Sequence, residues 1–259
     1  MSLVPIHDPG KGVLKLVGLM SGSGTNLRKI LEHQKKLEEE RGKAPYEVSV
    51  IFSDNIKSSA LEIAKEYDLP VVVRDIRGFY KMRGLKRMDL SNRHMFDRET
   101  LKALAPYDVK IAIYAGYMSV ASEVLISAYL GINVHPGDLS KQKDGKRLWV
   151  GDHAVRDAIV AGEKTLSSST HIIEPQVDGG RLFMISKPLA VELSPGVDLS
   201  DKDTAKEAER HNQERLKEAG DWLIFPKTIE YIADGRFALD SESAIHFDGE
   251  PISQGLKLS

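Results

Sequence analysis

Short apolar runs alternate with segments of helical period along almost the whole chain, and no other feature restricts the fold as much. Residues 13–20 (VLKLVGLM), 48–53 (VSVIFS), 71–74, 109–114 (VKIAIY) and 131–135 (GINVH) read as strands, most of them apolar on both faces. Between them the pattern predicts helices over about 26–40 and 59–67, and a short one before residue 131. Ser59 with Glu62 has the spacing of a capping box. Further on, a helix is expected over about 152–161. Strands at 168–173 and 182–187 flank the turn EPQVDGG, one long helix runs from about 203 to 232, and FALDSESAIHFDG closes as a hairpin. Strand–helix alternation of this kind specifies an α/β fold with a mainly parallel central sheet and helices on both faces. Ligands of such folds sit beyond the carboxyl ends of the strands, so the loops after each strand carry the chemistry.

Three of those loops hold suitable residues. SGSGTN (residues 21–26) follows the first strand. Its small residues let a ligand approach the backbone, and the next helix points its N–H groups at the same place, which suits a phosphate. No Gly-Lys-Ser/Thr follows, and Leu27 stands where a dinucleotide fingerprint has its third glycine, so a single phosphate fits better than a pyrophosphate. Alternation along 131–135 puts Asn133 and His135 on one face of their strand. In VDGG (residues 177–180) the two glycines are expected to permit a sharp turn with Asp178 at its tip. Each motif alone has a plain structural explanation.

Composition removes several classes of function. The chain has no cysteine, which excludes disulfides, thiolate metal sites and a cysteine nucleophile. Its net charge of -2, with both signs mixed, gives no basis for a nucleic-acid or membrane partner. No apolar run approaches the ~18 residues of a membrane span, and MSLVPIHDPGKG lacks the apolar core of a signal peptide. A cytoplasmic protein is expected. The basic stretch 74–98 reads as a solvated helix face.

Taken together and in this order, SGSGTN, NVHP and VDGG resemble the phosphoribosylglycinamide formyltransferase (glycinamide-ribonucleotide transformylase) family, of which the chain looks like a divergent member. AGYM at 115–118, ADGRF and FDGEPISQGL support the likeness, which runs from about residue 14 to 256. The resemblance implies a three-layer Rossmann-like formyltransferase fold forming a single domain over 1–259, with about 1–12 as an N-terminal extension. It implies transfer of a formyl group from 10-formyltetrahydrofolate, as co-substrate, to the amine of a phosphorylated small molecule, 5-phosphoribosylglycinamide, in purine biosynthesis. No metal is required. Asn133, His135 and Asp178 would be catalytic, with Asn133 donating to the oxyanion, His135 moving a proton, and Asp178 holding the imidazole and raising its pKa. Ser23, Gly24, Thr25 and Asn26 would take the phosphate and Glu214 the ribose hydroxyls. Tyr117, Met118, Ser119 and Val120 would line the folate. A homodimer is left open.

Departures from the family pattern mark the ligand sides. Ser119 stands where the family has Arg, His211 where it has Gln, and the stretch GDLSKQKDGKRLWVG is longer and more polar than the family's Ser-Leu-Leu-Pro segment. Residues 137–150 are therefore expected to be a mobile loop. The alternatives are a formyltransferase of the same fold acting on another amine such as a sugar nucleotide, a formyltetrahydrofolate hydrolase, or a non-catalytic nucleotide-binding module. A metal set of His135, His153, His171 and Asp178 lacks a supporting two-histidine helix motif, and no Gly-x-Ser-x-Gly elbow supports a serine hydrolase.

Overall fold

A computed structural model describes residues 3–258. The chain divides into two compact units, His7–Asn133 with Ile173–Pro175, and Met1–Ile6 with Val134–Ile172 and Gln176–Ser259.

The N-terminal unit contains β1 (Leu14–Met20), α1 (Thr25–Arg41), β2 (Tyr46–Ser53), α2 (Ala60–Tyr67), β3 (Val71–Val73), α3 (Ile76–Met82), α4 (Arg93–Leu104), β4 (Ile111–Tyr114), α5 (Glu123–Ala128) and β5 (Leu130–His135) as far as Asn133. Its strands lie in the order β5-β4-β1-β2-β3 and are all parallel, with Leu19 opposite both Phe52 and Tyr114. The chain builds outward from β1 in one direction and then returns to build in the other. The switch therefore falls between β1 and β4, and the loops after those two strands open the crevice that α/β folds use for ligands. Helices cover both faces of this mainly parallel sheet, which is why β1 and β2 read as unbroken apolar runs. Gly18 lets α1 approach closely, since a Cβ there would come within 2.6 Å of Leu27. The core is aromatic: Phe96 packs edge-on against Phe79 (centroids 5.2 Å) and Phe52 (6.4 Å).

The C-terminal unit takes up β5 at Val134 and adds α6 (Ala154–Val160), β6 (Ser169–Ile172), β7 (Leu182–Ile185), α7 (Lys202–Leu216), α8 (Trp222–Ala233), the hairpin β8 (Phe237–Leu239) and β9 (Ile245–Phe247), and β10 (Leu256–Lys257). Strands run in the order β10-β7-β6-β5. β7 pairs antiparallel with β6 and parallel with β10, and the β6–β7 register is irregular between Thr170 and His171. Val4–Pro5 pairs with β8, so part of the expected extension is a strand; Met1 and Ser2 of it lie outside the described residues.

Three local expectations are corrected. Ser59 makes no side-chain cap, because its backbone (φ -76°, ψ 14°) is not extended, and Glu62 reaches Arg28 instead (3.0 Å). The single long helix expected over 203–232 is two helices joined by a π turn at Lys217–Asp221. Gly220 sits in that turn against Ser168, where a Cβ would lie 2.5 Å from the hydroxyl oxygen, and Pro226 supplies no N–H to the turn before it. In the basic stretch 74–98 most side chains are solvated, but Arg93 is buried beside the Tyr80 ring.

Removing the centre of the aromatic core tests this packing. Phe96→Ala should destabilise the protein by about 3–5 kcal/mol, read as a lower urea midpoint at unchanged m-value.

Candidate active site

β1 ends at Met20, and the chain must turn before α1 begins. Gly24 makes the turn in the left-handed region (φ 68°), and a Cβ there would come within 2.5 Å of Ile63 and 2.7 Å of Met20. Both conformation and space demand glycine. α1 opens without a side-chain cap and without an acidic residue in its first turn, so its leading N–H groups and dipole face the loop. Ser23 and Thr25 are exposed there. Asn26 is half-buried, and its Oδ1 has no hydrogen-bond partner among the described residues. Ser21 ties the neighbouring loops together. Its carbonyl accepts from Asn55 Nδ2 (2.8 Å) and its Oγ from the Met118 N–H (2.9 Å).

After β4 the backbone alternates. Tyr117 and Ser119 turn inward, whereas Met118 and Val120 are 67% and 45% exposed. Ser119 Oγ donates a short hydrogen bond to buried Asp54. Burial, reinforced by Asp54 and Asp97, pushes the Tyr117 phenol well above its ordinary range, so it remains a neutral hydroxyl. The four residues expected to line one ligand thus divide between the interior and the surface.

In the C-terminal unit, β5 ends at His135, which is buried. Its Nδ1 lies 3.5 Å from Asp178 Oδ2, and its Nε2 lies 2.7 Å from the carbonyl of Trp149. Asp178 is itself the left-handed residue of its turn (φ 51°), and neither Gly179 nor Gly180 has positive φ. Asp tolerates that region, so the sharp turn is made by the acid. Gly179 is needed for space instead, since a Cβ would meet the Gln176 side chain at 2.8 Å. Asp178 Oδ2 also accepts from the Gly151 N–H (2.7 Å), Oδ1 faces His171 Nε2 (3.5 Å), and Arg147 donates to the Asp178 carbonyl. Burial pushes the Asp178 carboxyl up, but His171, His135 and the Gly151 N–H outweigh it and hold the pKa at about 2. For His135 the balance goes the other way. Burial lowers its pKa more than Asp178 and the Trp149 carbonyl raise it, so the imidazole is less basic than usual, against the increase expected from Asp178 alone.

The stretch after His135 is anchored where a mobile loop was expected. Gln142–Lys143 and Lys146–Arg147 pair as a small hairpin, Leu139 is buried, and Lys141 reaches Glu163 (2.5 Å). Gly137 allows the tight approach, because a Cβ there would lie 2.7 Å from the Trp149 carbonyl oxygen and 2.9 Å from His135 Nε2.

Asn133 is half-buried two positions before His135, opposite Tyr114. Glu214 is exposed and lines an open groove of about 530 Å³ with His153, Glu209 and Arg210, a lining that does not include His135 or Asp178. The buried acid at that end of the helix is Asp221, which accepts from Ser168 Oγ (2.5 Å). His153 bonds Glu209 (3.1 Å) and does not join His135 and His171 at Asp178.

Residues 14–214 match the family model described as formyl transferase. The chain belongs to the formyl transferase family. This formyltransferase is 26% identical over 240 residues to the phosphoribosylglycinamide formyltransferase of Escherichia coli, covering 92% of this chain and 95% of that one. It is also 26% identical over 214 residues to the Mycobacterium tuberculosis protein of that name, at 82% and 85% coverage. In fold it is similar to the phosphoribosylglycinamide formyltransferase of Coxiella burnetii (TM-score 0.68, 23% identity, 95% and 100% coverage) and to glycinamide ribonucleotide transformylase 1 of Symbiobacterium toebii (0.65, 23%, 91% and 94%).

The sequence offers His171 only within a metal set that no motif supports, and its contact with Asp178 comes from the fold. Its place on the strand leading into the Asp178 turn was the available signal. The Trp149 carbonyl and Gly151 N–H left no signal, since backbone groups have no residue type.

A depressed carboxyl pKa stabilises the fold above the unfolded value, and that stabilisation is lost as pH falls through the folded value. Asp178→Asn should therefore lower stability at neutral pH by roughly 2 kcal/mol. Denaturant unfolding of the two proteins should converge between about pH 4 and about pH 2.

Proposed function

We propose that the chain transfers the formyl group of 10-formyltetrahydrofolate to the primary amine of 5-phosphoribosylglycinamide. The observation that carries this is the buried His135–Asp178 pair at the end of an Asn-Val-His strand in a formyl transferase. The uncapped start of α1 behind Gly24, with Ser23, Thr25 and Asn26, supports a phosphorylated acceptor. On this proposal Met118 and Val120 meet the folate directly, while Tyr117 and Ser119 support that strand end from beneath. Glu214 is assigned to the ribose by the resemblance alone. The two units act as one formyltransferase domain, the enzyme is cytoplasmic, and its partners are the two small molecules, with a homodimer as its protein assembly. No helix among the described residues is long and apolar enough to cross a membrane.

The amine nitrogen attacks the formyl carbon and its carbonyl becomes an oxyanion, to which Asn133 donates its amide N–H. The amine proton passes to His135 Nε2. It is returned to the folate nitrogen as the old C–N bond breaks, so the acceptor leaves formylated and tetrahydrofolate is released. Nε2 is the ring nitrogen turned away from Asp178, and Trp149 occupies it. The substrate must take the place of the Trp149 carbonyl, after which the ring proton sits on Nδ1 against Asp178 and Nε2 presents its lone pair.

The direct test is to incubate the protein with 10-formyltetrahydrofolate and a panel of phosphorylated amines, including 5-phosphoribosylglycinamide and amino-sugar nucleotides, and follow tetrahydrofolate release. Fastest release with 5-phosphoribosylglycinamide is expected; preference for a sugar nucleotide would shift the acceptor, and no release with any amine would end the proposal. His135→Ala and Asn133→Ala should each reduce turnover at least about a hundredfold. Asp178→Asn removes the charge that raises the His135 pKa, so the acid limb of the rate profile should move to lower pH. Ser23→Asp, a negative charge at an exposed position of the loop, should weaken the phosphorylated acceptor and leave folate affinity unchanged by calorimetry; equal losses would make the loop purely structural.

A further inference from the structure

Asp178 lies between two imidazoles. His135 Nδ1 is 3.5 Å from Oδ2 and His171 Nε2 is 3.5 Å from Oδ1. Each ring meets a backbone carbonyl on its far side: His135 Nε2 at Trp149 (2.7 Å) and His171 Nδ1 at Ile172 (2.8 Å). A carbonyl oxygen only accepts, so both of those nitrogens carry hydrogen. The nitrogen turned toward Asp178 then holds a proton only when its ring is a cation. A neutral ring aims a lone pair at a carboxylate. With both rings neutral, Asp178 faces two lone pairs. With both charged, two buried cations share one anion, with the Arg147 guanidinium beside them. One proton between the two rings is the arrangement that satisfies the carboxylate.

We infer that His171 is a positioning residue for formyl transfer, holding the second oxygen of Asp178 and competing with His135 for the one proton the carboxylate stabilises. The inference rests on His135 and Asp178 being the reacting pair. When His171 carries the proton, Asp178 is neutralised from behind and His135 remains an uncharged base. His171 is one of the least exposed side chains of the molecule, so the bound substrate does not reach it. The Arg147 guanidinium lies beside the pair, and both His171 and Arg147 act on His135 in the direction of lower basicity.

Two measurements decide it. In wild-type protein, long-range nitrogen–proton NMR of the histidine rings should show neutral His171 with its proton on Nδ1, the less common tautomer. The His135 ring signals should titrate at lower pH in Asp178→Asn, which loses the carboxylate that favours its charged form. In the rate profile of the full chain, His171→Gln should shift the acid limb to higher pH by about one unit. That is opposite to the shift expected for Asp178→Asn. A merely structural role would lower the rate by one factor at every pH and leave the limb in place. That result, or a neutral His171 with its proton on Nε2, overturns the inference. If no formyl transfer is found at all, the proposed function fails, while the tautomer of His171 in the wild-type spectra still decides whether its Nε2 is free to take the proton beside Asp178.

Discussion

The Asp178 carboxylate is the constraint on which the C-terminal unit is organised. A buried carboxylate is costly unless each oxygen finds donors. Here its partners come from three separate stretches: the His135 ring at the end of β5, the Gly151 N–H, and the His171 ring on β6. That demand accounts for several otherwise unrelated details. Asp178 adopts a left-handed backbone, Gly179 clears the Gln176 side chain, and Arg147 fixes the turn through the Asp178 carbonyl. The same field reaches His135, whose basicity is the difference between a burial that suppresses charge and a carboxylate that favours it.

The parallel sheet was readable from sequence because its strands are buried on both faces and their apolar runs need no partner to be recognised. Every strand expected in the first half of the chain is present within a few residues of its expected bounds. Features set by tertiary contact were not readable. The cap expected at Ser59 depends on one backbone torsion, and the π turn at Lys217–Asp221 on the meeting of Gly220 with Ser168. A periodicity of apolar residues records neither. Likewise, an Asp-Gly-Gly turn does not say which of its residues is left-handed.

Within the candidate site the same division holds. Alternation put Asn133 and His135 on one strand face, and the turn motif offered Asp178, so the central pair was legible. The resemblance makes Tyr117–Val120 one ligand surface, although alternation alone separates Tyr117 and Ser119 from Met118 and Val120. Glu214 rests on motif likeness, and the helix that carries it leads into a buried acid, Asp221, at the end of the π turn. Ser119, read as a missing arginine, has a local partner: its hydroxyl satisfies one oxygen of Asp54, so this strand end presents a neutral hydroxyl with a carboxylate behind it.

The Trp149 contact shows how an anchored loop can still yield. A buried imidazole N–H left without an acceptor costs about 1–3 kcal/mol, whereas exchanging one good acceptor for another costs little. Trp149 supplies that acceptor to His135. Once the ring proton sits on Nδ1 against Asp178, a substrate N–H at the same place satisfies Nε2 as well, so the exchange need overcome only the packing of the loop. That packing is imperfect at Trp149 itself, whose indole N–H is buried without a hydrogen-bond partner among the described residues. Moving the residue outward would let water satisfy that group, which offsets part of the apolar contact Trp149 gives up beside Val155 and Ile159. The residue that covers the reactive nitrogen is thus held by a bond that a substrate can replace and carries an unmet demand that its departure relieves.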